Sequence, residues 1–158
     1  MRRHETSQDC RLLNRSHPLR CVPSDPQLAR LRDSTAVPPS TIFHIADRTA
    51  WADAQEAGAY RWSTRDQTLD EVGFIHCSFE QQVLPTAARH YGDADPAELV
   101  VLVIDPSVVA AAGAEVRVEA APHGEDYPHI YGDLPPAAVV ATRALARAAD
   151  GTWALLPA

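Results

Sequence analysis

The amino-acid sequence predicts an α+β domain with a small, strongly bent, mixed or antiparallel sheet and two main helices. Two observations indicate this class, and the chain length is consistent with a single domain. Strand-like segments outnumber helical ones, and the helical patterns cluster early in the folded part. Residues 98–104 (Glu-Leu-Val-Val-Leu-Val-Ile) have the continuous hydrophobicity of a strand that is buried on both faces. The length of 158 residues is enough for one domain with a proper core.

The first 40 residues differ from the rest of the chain in composition. They contain five prolines and hold seven arginines against four acids, whereas residues 41–158 hold seven arginines against seventeen acids. We expect residues 1–40 to form a disordered N-terminal extension and residues 41–158 to form a single α+β domain. The arginines of the extension could alternatively contact a polyanion.

Charge and hydropathy exclude several classes of function. An acidic folded part without a basic stripe argues against DNA binding, because phosphate neutralisation needs clustered Lys and Arg. No apolar run has membrane-spanning length, and no apolar stretch follows the opening Met-Arg-Arg-His-Glu. Three cysteines do not suggest a paired disulfide framework, so we expect a cytoplasmic protein without a membrane partner.

The first elements follow from local signals. Residues 41–45 form a strand, and Asp47 is placed to cap a helix that ends near Ala57, with Gly58 as its stop. Residues 60–63 are extended and precede a polar loop with one helical turn near 66–72. Residues 73–77 form a second strand.

A second helix is predicted from Ser78 to about Tyr91, since Ser78 and Gln81 have the spacing of a capping box. Pro85 should bend this helix or restart it. After the buried strand at 98–104, residues 115–119 alternate like a half-exposed strand. Residues 120–128 form a polar loop, and 129–131 form a brief strand. A turn of helix at Pro135-Pro136, an extended segment and a terminal hairpin around Asp150-Gly151 complete the domain.

Three histidines lie in otherwise apolar, strand-like segments: His44, His76 and His129. An imidazole ring on a hydrophobic face needs hydrogen-bond partners or a ligand. The three positions together predict a polar pocket cut into a sheet. The alternative for each ring is a core histidine with backbone partners.

Strand alternation places His76 and Ser78 on one face and Cys77 on the other. The predicted helix N-terminus at Ser78 would then lie beside His76, where it could hold a phosphate or carboxylate. Cys77 could be a nucleophile, but its opposite orientation makes activation by His76 geometrically poor and favours a buried hydrophobic role.

His129 and Tyr131 share a face by the same alternation, and a flat ligand such as nicotinamide or a purine would suit them. Tyr131 could alternatively be an amphipathic core residue. A metal site formed by His123, Asp126 and His129 is a weaker alternative, since the spacing matches no strong signature. Glu119 is the nearest candidate for a catalytic carboxylate.

Several motifs together resemble a known family. Phe43-His44-Ile45, Gly73-Phe74-Ile75-His76-Cys77-Ser78 and Pro128-His129-Ile130-Tyr131-Gly132 occur in this order, with a Trp51…Gly58-x-Tyr60…Ser63 run and Leu102-Val103-Ile104-Asp105-Pro106 between them. They resemble the uncharacterised bacterial family called domain of unknown function 952, over about residues 41–146.

That family is usually grouped with the ADP-ribosyltransferase fold, in which a split sheet clasps NAD. The resemblance therefore implies NAD as the cofactor, without a metal. It implies a catalytic set of His76, His129 and Ser78, and a cofactor-binding set of His44, Tyr60, Ser63 and Tyr131. His44 would bind a ribose hydroxyl, and His129 would stand where classical transferases keep a glutamate.

A neutral imidazole cannot supply a glutamate's charge to a cationic transition state, so ordinary ADP-ribosyl transfer to protein does not follow from the resemblance. Two hypotheses remain. The first is an enzyme that binds NAD or a related nucleotide in a histidine-lined cleft and performs ADP-ribosyl- or phospho-transfer-type chemistry. The second is a non-enzymatic module that binds a small metabolite in the same cleft. A metal- or thiol-dependent hydrolase ranks last.

Overall fold

A computed structural model describes residues 41–157, so the predicted extension at 1–40 lies outside the described residues. The described part is α+β with antiparallel sheets, which confirms the predicted class. The strands are β1 (Ile42–Asp47), β2 (Ile75–His76), β3 (Leu99–Ile104), β4 (Glu115–Ala120), β5 (Asp126–Tyr131), β6 (Val139–Arg143), β7 (Leu145–Arg147) and β8 (Trp153–Leu155). The helices are α1 (Arg48–Ala57), α2 (Leu69–Val72), α3 (Val83–His90) and α4 (Pro106–Ala111), with 3₁₀ turns at Glu80–Gln82, Pro96–Glu98 and Pro136–Ala138.

Strand β3 is the centre of the first sheet, between β1 and β6, and β5 is the centre of the second, between β2 and β4. Val101 and Leu102 point to opposite faces of β3 and are both fully buried, as the continuous apolar run predicts. The predicted terminal hairpin is formed by β7 and β8.

A main-chain pair joins the two three-stranded sheets. The Phe43 N–H donates to the Ser78 carbonyl at 2.9 Å, and the Ser78 N–H donates to the Phe43 carbonyl at 2.7 Å. This bridge connects β1 to the residues that follow β2. The histidine of each strand therefore lies one or two residues from the junction between the sheets.

Helix α1 begins and ends where its sequence predicts. The Asp47 carboxylate accepts from the N–H groups of Thr49 and Ala50 at 2.8 and 3.0 Å. Gly58 follows in the left-handed conformation, with φ of 82°, which a residue without Cβ adopts at little cost. No helix in residues 41–157 is long and apolar enough to cross a membrane.

The predicted capping box at Ser78 is wrong. The Phe79 N–H donates to the Gln82 side chain at 2.9 Å, so the chain turns first as 3₁₀ and α3 begins at Val83. Pro85 falls in the first turn of α3, where its missing N–H leaves no bond unmade. The Ser78 backbone is instead engaged by Phe43.

Two predicted boundaries also differ from the structure. The second strand is limited to Ile75–His76, because only these two residues pair with β5. The polar loop after residue 119 is shorter than predicted, since β5 starts at Asp126 and pairs with β4 up to Ala120. The pairing of β4 with β5 near this turn was not predicted, because both strands are exposed there and their residues lack the apolar alternation of a half-buried strand.

Candidate functional site

A cleft of about 530 Å³ lies beside the junction of the two sheets. Strand β1, the loop at 63–67, the end of β2, helix α3 and the β4–β5 turn all contribute to its walls. The predicted site residues in its lining are His44, Ser63, His76, Ser78 and His129. The sequence therefore brings five of the seven predicted residues to one cavity.

His76 is exposed at the cleft wall, and its Nδ1 atom is 2.9 Å from the hydroxyl oxygen of Ser63. Ser63 is only 1% exposed, so its hydroxyl has little access to water. Partial burial lowers the pKa of His76, and so does repulsion from His129 when that ring is protonated, while the Ser63 backbone carbonyl favours the protonated form of His76. His76 is therefore neutral near pH 7 and available for hydrogen bonding.

One ring nitrogen of His129 is hydrogen-bonded to the Glu119 carboxylate. Its Nδ1 atom lies 2.8 Å from Oε2 of Glu119, and the Tyr131 hydroxyl donates to the same oxygen at 2.8 Å. The bonds from Tyr131 and His129 lower the pKa of Glu119, so the carboxylate is ionised. Glu119, the nearest candidate for a catalytic carboxylate, thus contacts His129 and is not among the residues that line the cleft.

Phe74 packs against both imidazole rings, a contact that was not predicted from the sequence. Its ring centroid lies 4.8 Å from that of His76 and 4.4 Å from that of His129. The two histidine rings lie 5.4 Å apart and nearly perpendicular, at 88°. The alternation that pairs Phe74 with His76 on one strand face was the available signal.

His44 is 3% exposed, and both of its ring nitrogens have partners in the protein. Nδ1 lies 2.6 Å from the His76 carbonyl and Nε2 lies 2.9 Å from the Tyr60 hydroxyl. A carbonyl only accepts, so Nδ1 carries the hydrogen and Nε2 accepts from Tyr60. Burial lowers the pKa of His44 to about 4. Binding a ribose hydroxyl would require one of these bonds to be exchanged.

Tyr60 and Tyr131 are not among the residues that line the cleft. Tyr60 is buried in the core, where it contacts His44 and Trp51. Tyr131 lies next to Glu119, with the Arg117 guanidinium 4.2 Å from the centre of its ring. Both tyrosines support site residues in this structure instead of facing the cavity.

Neither Ser78 nor Cys77 has the surroundings of a nucleophile. The Ser78 hydroxyl is buried and lies 3.4 Å from that of Thr86. Cys77 is buried, and this burial raises the pKa of its thiol, which disfavours the thiolate. Within residues 41–157, no three His, Cys, Asp or Glu side chains converge as metal ligands.

Two arginines give the cleft positive charge. Arg65 lines it and forms a two-bonded ion pair with Asp93 at 3.1 Å. Arg89, on α3, lines it without an ion pair to any described residue. Asp66 is the only carboxylate in the described lining. Arg89 was missed because only the fold brings α3 to the cleft.

Comparisons place the chain among known proteins. Residues 45–142 match the family described as "Protein of unknown function (DUF952)". The crystal structure of protein CC0527 from Caulobacter crescentus has 29% sequence identity and a TM-score of 0.59, covering 72% of this chain and 93% of that one. A double mutant of that protein matches with 30% identity and the same TM-score and coverage. No protein of curated function matches. The chain therefore belongs to the DUF952 family of proteins of unknown function.

Proposed function

We propose that the cleft binds NAD or a related nucleotide on an ADP-ribosyltransferase-like fold and supports transfer at the ribose. One observation carries the proposal: the rings of His76 and His129 lie 5.4 Å apart in an open cleft that Arg65 and Arg89 also line. Imidazole rings suit proton transfer near neutral pH. Arginine side chains suit phosphate binding.

The shape and charge of the cleft support a phosphorylated ligand. Its volume of about 530 Å³ falls in the ordinary range for small-molecule sites. Within residues 41–157 Arg89 forms no ion pair, so it can form charge-assisted bonds to a diphosphate without first leaving a carboxylate partner in that part of the chain. His76 and His129 offer flat polar rings to a sugar or base.

The chemistry would use His129 as general base. In transfer from NAD, the bond between ribose C1′ and the nicotinamide nitrogen breaks, and nicotinamide leaves as a neutral molecule. An acceptor hydroxyl forms the new bond to C1′ and gives its proton to Nε2 of His129. The Glu119 carboxylate, one hydrogen bond behind the ring, would stabilise the imidazolium and supply negative charge near the oxocarbenium-like centre.

The second candidate is a non-enzymatic module that binds a small metabolite in the same cleft. The lining favours it in one respect, because Asp66 is the only carboxylate among the described lining residues. Classical transferases place a glutamate against the ribose, and Glu119 is instead bonded to His129 and Tyr131. Such a module would bind the nucleotide and release it unchanged.

Calorimetry with NAD and ADP-ribose tests the proposal. We expect binding that weakens about tenfold or more in His129→Ala and Arg89→Ala. Arg61→Ala is the matched control, since Arg61 is an exposed partner of Asp70 and Asp133 and does not line the cleft. The absence of heat with either ligand at millimolar concentration would contradict the proposal. Chromatography of released nicotinamide distinguishes the enzyme from the binding module.

A further inference from the structure

We infer that His76 and His129 form a matched donor and acceptor for a single hydroxyl group of the ligand, with the tautomer of each ring set by Ser63 and Glu119. The inference rests on the proposed function for the identity of the ligand and names the group that the site recognises. His76 presents an N–H at Nε2, and His129 presents a bare Nε2 nitrogen.

The tautomer of His129 follows from its partner. An ionised carboxylate has no hydrogen to donate, so the 2.8 Å contact to Glu119 requires the hydrogen to be on Nδ1 of His129. In a neutral imidazole the other nitrogen is then an acceptor. Glu119 is thus a positioning residue that leaves Nε2 of His129 able to accept a proton.

The tautomer of His76 follows from the burial of Ser63. Ser63 is 1% exposed, and its hydroxyl contacts one hydrogen-bonding atom in the described part of the chain, Nδ1 of His76. A buried hydroxyl hydrogen without an acceptor costs free energy, so Ser63 donates to Nδ1. Neutral His76 therefore carries its hydrogen on Nε2.

A hydroxyl group is the ligand group that fits this pair. It accepts one hydrogen bond and donates another, whereas a carbonyl only accepts and an ammonium only donates. The ring centres are 5.4 Å apart, Phe74 packs against both rings, and both histidines line the cleft, which brings them within reach of one small ligand group. A ribose hydroxyl or the acceptor hydroxyl of the transfer reaction has the required chemistry.

¹⁵N NMR on the ligand-free, full-length chain tests the tautomers directly, because the ¹⁵N chemical shift of a ring nitrogen shows whether it carries a hydrogen. At about pH 8, above the ordinary pKa of an imidazole, we expect Nε2–H for His76 and Nδ1–H for His129. Ser63→Ala should mix the tautomers of His76 alone, and Glu119→Ala those of His129 alone.

Glu115→Ala is the matched control on the same strand, because Glu115 binds Arg117 and not a histidine. The same tautomer in both histidines would overturn the inference, as would unchanged spectra in both Ser63→Ala and Glu119→Ala. This result does not depend on nucleotide binding, so its failure is distinct from failure of the proposed function.

Calorimetry then tests recognition of a hydroxyl. ADP-ribose is compared with analogues that lack the 2′- or the 3′-hydroxyl of the terminal ribose. We expect one of the two analogues to bind about tenfold more weakly than ADP-ribose. Loss of the recognised hydroxyl would leave Nε2 of His76 and Nε2 of His129 without a hydrogen-bond partner. His129→Ala should abolish that difference. Equal affinity for all three ligands would overturn hydroxyl recognition, while no binding by any of them would overturn the proposed function and leave the NMR result to decide the tautomers.

Discussion

Histidines occupy two contrasting environments on the two sheets. His44, on β1, is buried and has both ring nitrogens bonded within the protein. His76 and His129, on β2 and β5, each have one nitrogen held by a protein partner and line the open cleft. Residue type and apolar strand context are the same in all three cases. The partners of the ring nitrogens therefore separate a buried, fully bonded histidine from the two histidines of the candidate site.

The link through His44 also connects the two regions. Its bond to the His76 carbonyl ties β1 to β2 directly beside the main-chain pair of Phe43 and Ser78. Any movement of β2 relative to β1 would break this bond. The buried ring thus fixes the position of the strand that carries His76.

Removal of the buried imidazole should give the largest effect on stability. His44→Ala should lower the free energy of unfolding by about 3 to 4 kcal/mol, because it leaves a cavity and unpairs the Tyr60 hydroxyl and the His76 carbonyl. Urea denaturation measures the change. His129→Ala, at the cleft, should cost about 1 kcal/mol or less, and equal losses in the two variants would remove the distinction between the regions.

Acid should destabilise the protein through the same residue. The pKa of His44 is about 4 in the folded protein and near 6.5 unfolded, so the unfolded state binds more protons between these values. Stability is then full above pH 6.5 and falls by roughly 3 kcal/mol as the pH drops toward 4. The lowered pKa of His76 acts in the same direction.

Unfolding in urea at a series of pH values measures this dependence. His44→Gln removes the titrating group and should flatten the profile over that range. A profile as steep as that of the unmodified protein would assign the acid sensitivity to other groups.

The end of strand β2 offers a contrast between two adjacent residues, His76 as its last residue and Cys77 directly after it. Cys77 faces the core next to exposed His76, and burial raises the pKa of its thiol. In a chain with Cys10→Ser and Cys21→Ser, Cys77 should react with a disulfide reagent about 100-fold more slowly when folded than in denaturant. Rapid reaction of the folded protein would instead place the thiol at the cleft surface.

Loss of one hydroxyl should have the smallest effect. Tyr60→Phe leaves Nε2 of buried His44 without a donor and should cost about 1 to 2 kcal/mol. Tyr131→Phe is the matched control, because its partner Glu119 remains partly exposed and can bind water. A larger loss in Tyr131→Phe than in Tyr60→Phe would contradict the assignment of Tyr60 to the structural region.

Local signals predicted much of the fold. Asp47 and Gly58 lie at the ends of α1 because a cap and a stop act within a few residues. The buried strand β3 was evident from its continuous apolar run. The capping box predicted at Ser78 and Gln81 is wrong because the same spacing occurs one residue later. The Gln82 side chain accepts from the Phe79 N–H instead.

The candidate site was predicted less completely. Alternation placed His76 and Ser78 on one face, and five of the seven predicted residues line the cleft. Both ring nitrogens of His44 have protein partners, and Glu119 bonds to His129. These contacts depend on how the strands pair, which a short segment of sequence does not reveal. The role of Arg89 likewise depends on how α3 packs.

A crystal structure grown with ADP-ribose tests the central claim most directly. We expect electron density for the ligand in the cleft, with the phosphates near Arg89 and one ribose hydroxyl between Nε2 of His76 and Nε2 of His129. Density for the ligand elsewhere on the protein, with both imidazoles bonded only to protein or water, would contradict the account.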